Sequence, residues 1–449
     1  MDTKFPFQKL RFRLSRPKQR MFVGPTEISG IYAQLVEGLN QIGFQAELVE
    51  RNPHPHNYQS SYRSKSWMIN ACRKLNRAVQ IRKSANNAPL LTWMLTAMAI
   101  FIWLTWTPFA MARYSTFLFV FGNSLWPWNL DLPLLRLLGK KTVMHLGHGS
   151  ESRPPYLGGN LDLDAQTLLG ARKLASSSKA VRRTVRMAEK HANIVIGSPL
   201  NTHYFSSSPF VNFLYIGFPQ LQTANPPSPG SSKGSLARVK VLHAPSKPEL
   251  KGTNFISEIV KQLQNEGLHI SYTQLTGVSN DQILAAINDA DLVVDQLYSD
   301  TPMTGVAMEA SAMGKACIMG GYGFKILEPF TPQEFKDIVI TCDPDEIKET
   351  IRSTVLSGCF RDRGERAKTF ALEYLAPIDV ARRLALVLEG RTPSNWWVDP
   401  HSLMYLMGVA QSESESIRQV QGMVEVLGPS SLQLDHKPRL REALVSWTR

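Results

Sequence analysis

Two short runs of this sequence combine residue types that suit a diphosphate and a ribose. HAPSKPELKGT places Lys251 after an apolar run and directly before a Gly-Thr pair that begins a helical pattern. MTGVAMEASAMGKACI places Gly305 at a later helix start and Glu309 one turn beyond it. A lysine beside the N–H groups of a helix start suits phosphate oxygens, and glycine lets the backbone approach them. A carboxylate one turn into a helix can accept hydrogen bonds from two vicinal ribose hydroxyls. The predicted donor-side residues are Lys247, Lys251, Gly252, Thr304, Gly305 and Glu309.

The elements that must position these residues alternate between apolar runs and helical patterns. The apolar runs lack clean alternation, which is typical of parallel strands covered on both faces. A chain of 449 residues is too long for one ordinary core. We therefore predict an α/β protein with two doubly wound domains. The predicted segments are a basic tail (1–18), an N-terminal domain (19–218), a Pro-, Ser- and Gly-rich linker (219–235), a C-terminal domain (236–390) and a helical extension (391–449).

Each predicted domain has its own series of strands. The first series is 20–24, 45–50, 117–121, 141–147, 193–197 and 211–217. The second series is 238–244, 269–275, 291–297, 315–321 and 337–342. Ligands of such folds bind outside the carboxyl ends of the strands, which is where the lysine and the glycine lie.

Polar residues cluster after the predicted strand 141–147 of the first domain. His145 and His148 flank a glycine there, and either ring can contact a donor sugar or an acceptor hydroxyl. The alternative interpretation for each histidine is a purely structural role, in which the ring packs in the core with its hydrogen bonds satisfied. Glu151 and Arg153 follow in the same loop and can bind acceptor or phosphate.

The turn after the first strand, GPTEISG, contains Gly24 and Gly30. Glycines there would leave room for a diphosphate or an acceptor, and simple turn geometry is the alternative. The turn lacks the full G-x-G-x-x-G spacing, so we expect no nicotinamide cofactor.

Together these motifs resemble the GT-B glycosyltransferases, in particular glycosyltransferase family 4. HAPS…KGT, LTGVS, ADLVVDQL and EASAMGKA resemble the nucleotide-binding half, and GPTEISG resembles the glycine loop of the other half. DLPLLRLLGKKTVMHLGHGSESR resembles the segment that leads to the family's HGS motif. The resemblance covers most of residues 21–388. It implies two Rossmann-like domains facing a cleft, a nucleotide-sugar donor on the C-terminal domain, and transfer to an acceptor hydroxyl with retention of configuration. It also implies no required metal or other cofactor, and catalytic roles for His148, Lys251 and Glu309.

Two positions depart from the family's pattern. The family has a glutamate eight positions before the one at Glu309, and Thr301 stands there in this chain, next to Asp300. Ser246 stands where the family has a basic residue, next to Lys247. We expect Asp300 to contact the donor sugar in place of the missing glutamate. The departure also supports a second hypothesis, a non-catalytic protein that binds a nucleotide sugar or a partner. A nucleotide-sugar epimerase is a further alternative.

The formal net charge of +13 favours an anionic partner. Basic residues crowd the N-terminus and the stretch 63–83, but no recognised nucleic-acid module accompanies them, so we expect no nucleic-acid partner. An anionic membrane surface fits better, and a solvated tail is the alternative for residues 1–18. The four cysteines are scattered, which favours a reducing compartment. We therefore expect a cytoplasmic protein on the inner face of a membrane.

The apolar segment 90–112, LLTWMLTAMAIFIWLTWTPFAMA, is long enough to cross a bilayer as a helix. A crossing would separate the strand 117–121 from the strand 20–24, although the two should share one sheet. We expect a helix that lies in the membrane interface. A helix buried against the N-terminal sheet and a full span are the alternatives. Membrane contact would suit a lipid-linked or cell-envelope glycan acceptor.

Two Asp-x-Asp triplets, 162–164 and 343–345, are of the kind that can hold a divalent metal under a diphosphate. Neither has the matching context, because the first is typical of a loop and the second of a helix-start turn. We expect no metal site at either.

Overall fold

The computed structural model describes residues 20–52, 60–84, 89–159, 163–220, 238–336 and 338–447. The predicted basic tail and nearly all of the predicted linker lie outside these ranges. The described chain builds two parallel sheets, each covered by helices, so the predicted fold class is confirmed: two Rossmann-like, doubly wound domains in a GT-B architecture.

The first lobe is built around a seven-stranded sheet of order β12-β6-β5-β4-β3-β1-β2. All neighbours are parallel except β12 and β6. Its elements are β1 (Arg20–Gly24), α1 (Ile31–Gln41), β2 (Gln45–Leu48), α2 (Trp67–Ser84), α3 (Pro89–Arg113), β3 (Thr116–Val120), α4 (Leu132–Leu137), β4 (Lys141–Leu146), α5 (Leu168–His191), β5 (Ile194–Gly197), α6 (Pro199–Thr202), β6 (Phe210–Asn212) and α7 (Phe213–Ile216).

The second lobe is built around a five-stranded parallel sheet of order β11-β10-β9-β7-β8. Its elements are β7 (Val239–His243), α8 (Pro248–Lys251), α9 (Thr253–Asn265), β8 (Ile270–Gln274), α10 (Asn280–Asp289), β9 (Leu292–Val294), α11 (Gly305–Ala312), β10 (Ala316–Gly320), α12 (Phe324–Leu327), β11 (Val339–Cys342), α13 (Ile347–Ser357) and α14 (Phe360–Tyr374).

The last part of the chain returns to the first lobe. Its elements are α15 (Pro377–Leu388), β12 (Trp397–Val398), α16 (Glu413–Leu427) and α17 (Pro438–Ser446). Helix α15 packs on α1 so closely that a Cβ at Gly38 would lie 2.0 Å from the carbonyl oxygen of Pro377. Strand β12 extends the first sheet, and the hydroxyl of Tyr156 donates to the carbonyl of Leu432 at 3.0 Å.

Burial explains why the predicted apolar runs became central strands. Met21, Phe22 and Val23 of β1 are all fully buried, because β1 lies between β2 and β3 and has helices on both faces. Phe22 packs edge-on against Tyr114, with ring centroids 5.7 Å apart.

The predicted strand 211–217 is wrong beyond its first two residues. The structure has a three-residue strand that ends at Asn212, followed by the short helix α7. The Asn212 side chain accepts a hydrogen bond from the N–H of Leu214 at 3.0 Å, which starts the helix. Gly217 ends it at φ 83, a backbone region that suits glycine.

Each sheet has a point where the strand order reverses. In the first sheet the point lies between β1 and β3, and in the second between β7 and β9. The loops after these strands diverge and leave a crevice at the carboxyl edge of the sheet. The two crevices hold most of the predicted site residues.

Candidate functional site

Lys251 and a buried carboxylate meet at the crevice of the second sheet. Asp295 follows β9 directly and is 1% exposed. The Nζ atom of Lys251 lies 3.6 Å from Oδ1 of Asp295 and donates a hydrogen bond to the side-chain oxygen of Gln296. The carboxylate therefore orients the ammonium, which stays partly exposed at the edge of the crevice.

The start of α11 lies against the same carboxylate. The hydroxyl of Thr304 donates to Oδ2 of Asp295 and accepts from the N–H of Ala307 at 3.3 Å. Gly305 is exposed, and a Cβ built on it would meet nothing within 4 Å. The space over this helix start is thus open to an anion.

Glu309 lies one turn further along α11. Burial raises its pKa to about 7, a hydrogen bond with Asn280 opposes that shift, and the charge of Asp295 adds to it. Lys251 and Glu309 therefore both have Asp295 as an electrostatic neighbour. The structure brings together the ammonium, the open helix start and the carboxylate that the sequence predicts.

Two further features fix the junction between α8, which ends at Lys251, and α9. Gly252 has φ 70, and a Cβ there would lie 2.6 Å from Cβ of Leu297. The ring of His243 spans from β7 to the neighbouring elements, with Nδ1–H donating to Val294 O at 2.8 Å and Nε2 accepting from the Thr253 hydroxyl at 2.9 Å. Lys247 is the N-cap residue before α8 and is exposed, four positions before Lys251.

Asp300 is held across the cleft by the first lobe. Arg153 Nη1 pairs with Oδ2 of Asp300 and donates to the side chain of Asn201 at 2.6 Å. Asp300 is 6% exposed and Arg153 is 5% exposed. The structure thus joins two predicted site residues to each other, one predicted on the donor side and one on the acceptor side.

The predicted histidines of the first lobe share one hydroxyl. The Tyr32 oxygen lies 2.6 Å from Nε2 of His148 and also contacts Nδ1 of His145. Burial lowers the pKa of His145 to about 3 and lowers that of His148 well below its usual range, with a smaller contribution from His145. Both rings are therefore neutral at physiological pH.

His148 is the more accessible of the two rings. It is half-buried, and it stacks on Phe218 with centroids 5.4 Å apart and an interplanar angle of 6°. Its backbone N–H donates to Oε1 of Glu151 at 2.7 Å. Burial raises the pKa of Glu151 to about 7.

The glycine turn after β1 contains a carboxylate that caps α1. Glu27 is 4% exposed and accepts hydrogen bonds from the N–H groups of Ile28 and Ala33 at 2.8 Å each and of Tyr32 at 3.2 Å. Gly30, at φ 76, lets the chain enter the helix. At Gly24 a Cβ would lie 2.0 Å from the carbonyl oxygen of Val49.

An apolar cavity lies beside His145 in the first lobe. Its polar lining residues are Tyr32 and His145. None of the predicted donor-binding residues of the second lobe lines this cavity. Its other lining residues are Ile31, Leu35, Leu118, Ile196, Phe213, Ile216, Gly217, Phe218, Pro219, Val380 and Leu384.

The Asp-x-Asp triplets make local contacts where they are described. Asp343 caps a helical turn with Glu346 and accepts from Lys325 at 2.6 Å. Asp164 accepts from Arg418 at 2.9 Å, and Asp162 lies outside the described residues. Within the described ranges, the structure has no cluster of three or more His, Cys, Asp or Glu side chains suited to a metal ion.

Three functional candidates were missed by the sequence analysis. Asp295 had a usable signal, since it is an acidic residue at the end of an apolar strand. Tyr32 and Glu27 had none, because a tyrosine in an amphipathic helix and a glutamate in a turn are ordinary features. Their positions follow from packing that single-sequence patterns do not contain.

The site's chemistry divides between the lobes. The second lobe offers cationic side chains and open N–H groups, which suit phosphate oxygens, and a carboxylate that suits hydroxyls. The first lobe offers a neutral, desolvated pair of rings, which suits an uncharged hydroxyl.

No protein-family model and no curated protein matches this sequence. Solved structures with a similar fold include a sucrose-phosphate synthase from Thermosynechococcus elongatus, at 12% identity and a TM-score of 0.47, covering 83% of this chain and 99% of that one. Anabaena HepE in complex with UDP-glucose matches at 12% identity and a TM-score of 0.41, covering 83% of this chain and 99% of that one. The glycosyltransferase SnogD from Streptomyces nogalater matches at 11% identity and a TM-score of 0.40, covering 83% of this chain and 100% of that one. At these values the likeness transfers no residue role or substrate to this chain, and the fold assignment rests on the two sheets themselves.

Proposed function

We propose that this protein is a glycosyltransferase that moves a sugar from a nucleoside diphosphate to an acceptor hydroxyl. The observation that carries the proposal is the grouping of Lys251, the open start of α11 and Glu309 around Asp295, at the switch point of the second sheet. Parallel sheets of this order bind nucleotides at that point. The sequence resemblance to family 4 of the GT-B enzymes adds retention of configuration.

Glycosyl transfer breaks the bond between the anomeric carbon and a diphosphate oxygen, so negative charge develops on the leaving diphosphate. Lys251 is positioned to stabilise that charge, and exposed Lys247 and the N–H groups at Gly305 lie along the same crevice. Glu309 would accept hydrogen bonds from the ribose. The ionised carboxylate of Glu309 would bind the ribose hydroxyls more strongly than the protonated form.

The first lobe would hold the acceptor. The new bond forms between the acceptor oxygen and the anomeric carbon as the bond from that carbon to the diphosphate breaks, and the hydroxyl proton passes to the departing diphosphate. The half-buried ring of His148 is neutral and its Nε2 contacts the Tyr32 hydroxyl, so with the proton on Nε2 its Nδ1 would accept a hydrogen bond from such a hydroxyl. Glu151 fixes the backbone at His148.

We place the enzyme in the cytoplasm, on the inner face of a membrane, with a lipid-linked or cell-envelope glycan as acceptor. The apolar helix α3 and the basic stretch before it support this location.

One observation favours a second candidate, a non-catalytic protein that binds a nucleotide sugar. Asp300, the residue nearest to the family's missing glutamate, is paired with Arg153 and is therefore not free to contact a sugar. In a non-catalytic protein that pair would simply join the lobes. An epimerase would instead convert the sugar while it stays in the site.

Turnover distinguishes these functions. The protein is incubated with UDP-, GDP- and ADP-sugars, and release of nucleoside diphosphate is followed together with the identity of the remaining sugar. We expect hydrolysis or transfer that is lost in Lys251→Ala and Glu309→Ala but kept in Lys261→Ala, an exposed lysine of α9. Saturable binding with no release of diphosphate from any donor would contradict the proposal and favour the binding protein, and epimerised sugar would favour the epimerase.

A further inference from the structure

Helix α3 exposes a broad apolar face to solvent. Leu90, Trp93, Phe101 and Phe109 are 72%, 69%, 67% and 65% exposed. The helix has 25 residues, and its one charged residue is the last, Arg113. A face of this size is more than a soluble monomer normally leaves uncovered.

The opposite side of α3 is packed on the protein. Ala99, Trp103 and Ala110 are at most 1% exposed, and Trp106 packs on Phe22 of β1 with centroids 6.4 Å apart. The helix is therefore not a buried core helix, since one side is largely exposed. It is the described helix that is long and apolar enough to cross a membrane, with a mean hydropathy of 1.6.

Helix α2 lies antiparallel along α3 and makes a crossing unfavourable. Cys72 Sγ of α2 donates to the carbonyl of Ala99 at 3.4 Å. The exposed stripe of α2 combines Trp67 and Ile81 with the cations Lys74 and Arg77. If α3 spanned the bilayer, these charges would enter the hydrocarbon beside it, at a large cost.

Basic residues predominate around the face, although Arg63 and Arg73 pair with Glu50, and Arg113 pairs with Glu47. From residue 51 to residue 130 the sequence has nine Lys or Arg and no Asp or Glu. Basic residues beside exposed tryptophan and aliphatic side chains are typical of helices that lie in the headgroup region of anionic membranes.

The orientation of the two helices relates this surface to the site. The indole Nε1–H of Trp103 donates to the carbonyl of Leu125, beyond the end of β3, at 2.6 Å. The side-chain amide of Asn76 in α2 donates to the carbonyl of Arg51, beyond β2, at 2.9 Å. The N-terminal part of α3, from Pro89 to Ala99, therefore extends roughly 15 Å past the carboxyl edge of the first sheet. His148 follows β4 at that same edge.

We infer that the α2–α3 pair is a docking surface for an anionic bilayer, which binds in the interface without crossing it and holds the acceptor crevice of the first lobe close beside the lipid surface. The class of acceptor that this geometry serves is a sugar or hydroxyl anchored in that leaflet. This last step rests on the proposed function, whereas docking itself does not.

Flotation of the full-length protein with preformed vesicles tests the inference. Vesicles of phosphatidylcholine alone are compared with vesicles that contain phosphatidylglycerol. We expect binding to the anionic vesicles. Phe101→Glu should lower the partition coefficient by roughly 10-fold or more, because it removes an inserted ring and adds a charge. Lys74→Ser with Arg77→Ser should lower it by roughly 30-fold.

Matched controls separate the surface from general effects. Phe255→Glu changes a phenylalanine of α9 that is 48% exposed, and it should leave binding unchanged. Nucleotide-induced thermal shifts of every variant report on the donor site, so a failed function and a failed surface give different results. Equal binding by Phe101→Glu and wild type would overturn the inference. A second result would also overturn it: a wild-type protein that is a dimer and does not bind vesicles, and that becomes a monomer in Phe101→Glu. A second copy of the chain would then cover the face.

Discussion

The helix starts at the carboxyl edges of the two sheets differ in what they already bind. In the first lobe, the carboxylate of Glu27 occupies the N–H groups at the start of α1. In the second lobe, α9 starts at Gly252 without a side-chain cap among the described residues, and α11 starts beside open space at Gly305. A helix start that already holds an anion cannot bind another. The difference supports the proposed donor site in the second lobe.

The same contrast holds for charge. Lys247 and Lys251 of the second lobe are exposed or partly exposed cations, whereas Tyr32 and His145 of the first lobe are buried and uncharged. Desolvation keeps the two imidazole rings of the first crevice uncharged. Two crevices of one fold thus become suited to a hydroxyl and to a phosphate.

The contact that joins the lobes gives the largest expected effect. Arg153→Met leaves Asp300 as an unpaired buried charge and should lower the free energy of unfolding by about 3–5 kcal/mol. The double variant Arg153→Met/Asp300→Leu removes both charges and should recover most of that loss. Denaturant titration measures both.

The exposed pair Lys240–Asp289 is the matched control for that experiment. Lys240→Ala should change stability by less than about 1 kcal/mol, since exposed ion pairs contribute little. If Arg153→Met has an equally small effect, the lobes are not joined by this pair.

The neutral crevice is tested by Tyr32→Phe. The variant leaves ring nitrogens of His145 and His148 without their shared hydroxyl, and we expect a loss of about 1–3 kcal/mol in the free energy of unfolding. Tyr62→Phe, at a tyrosine that is 39% exposed, is the control. Equal stabilities of the two variants would show that the hydroxyl does not organise the crevice.

Glu27 sharpens the comparison through pH and gives the smallest expected effect. Burial raises its pKa to about 7, so the folded state binds the proton more tightly than the unfolded state. The contribution of this group to stability is therefore greatest below its ordinary pKa, and it falls as pH rises through about 7. Glu27→Gln cannot titrate. Thermal denaturation across this range should show a steeper loss for wild type than for the variant, and parallel curves would contradict the assignment.

The sequence predicted the parts of the fold that depend on local pattern. Strand positions such as 20–24 and 141–147 follow from continuous apolar runs that only a doubly covered sheet can bury. The positions of Lys251 before α9 and of Glu309 in the first turns of α11 could be predicted, because each lies at a fixed place relative to a helix start.

Contacts between distant segments could not be predicted. Arg153 meets Asp300 because the two lobes face each other, and neither residue has a neighbour in sequence that reveals it. Strand β12 joins the first sheet through two residues, Trp397 and Val398, which is too short a run for any periodicity. The α7 helix replaced a predicted strand because one side-chain cap outweighed the apolar pattern.

The most direct test of the central claim is a calorimetric cycle between variants and trimmed ligands. The nucleoside diphosphate that binds best is compared with its monophosphate and with its 2′-deoxy form. Lys251→Ala should lose roughly 10- to 100-fold in affinity for the diphosphate and very little for the monophosphate. Glu309→Gln should erase the preference for ribose over deoxyribose and keep the preference for the diphosphate. If either variant weakens all three ligands equally, these side chains do not contact the β-phosphate and the ribose, and the proposed donor site is wrong.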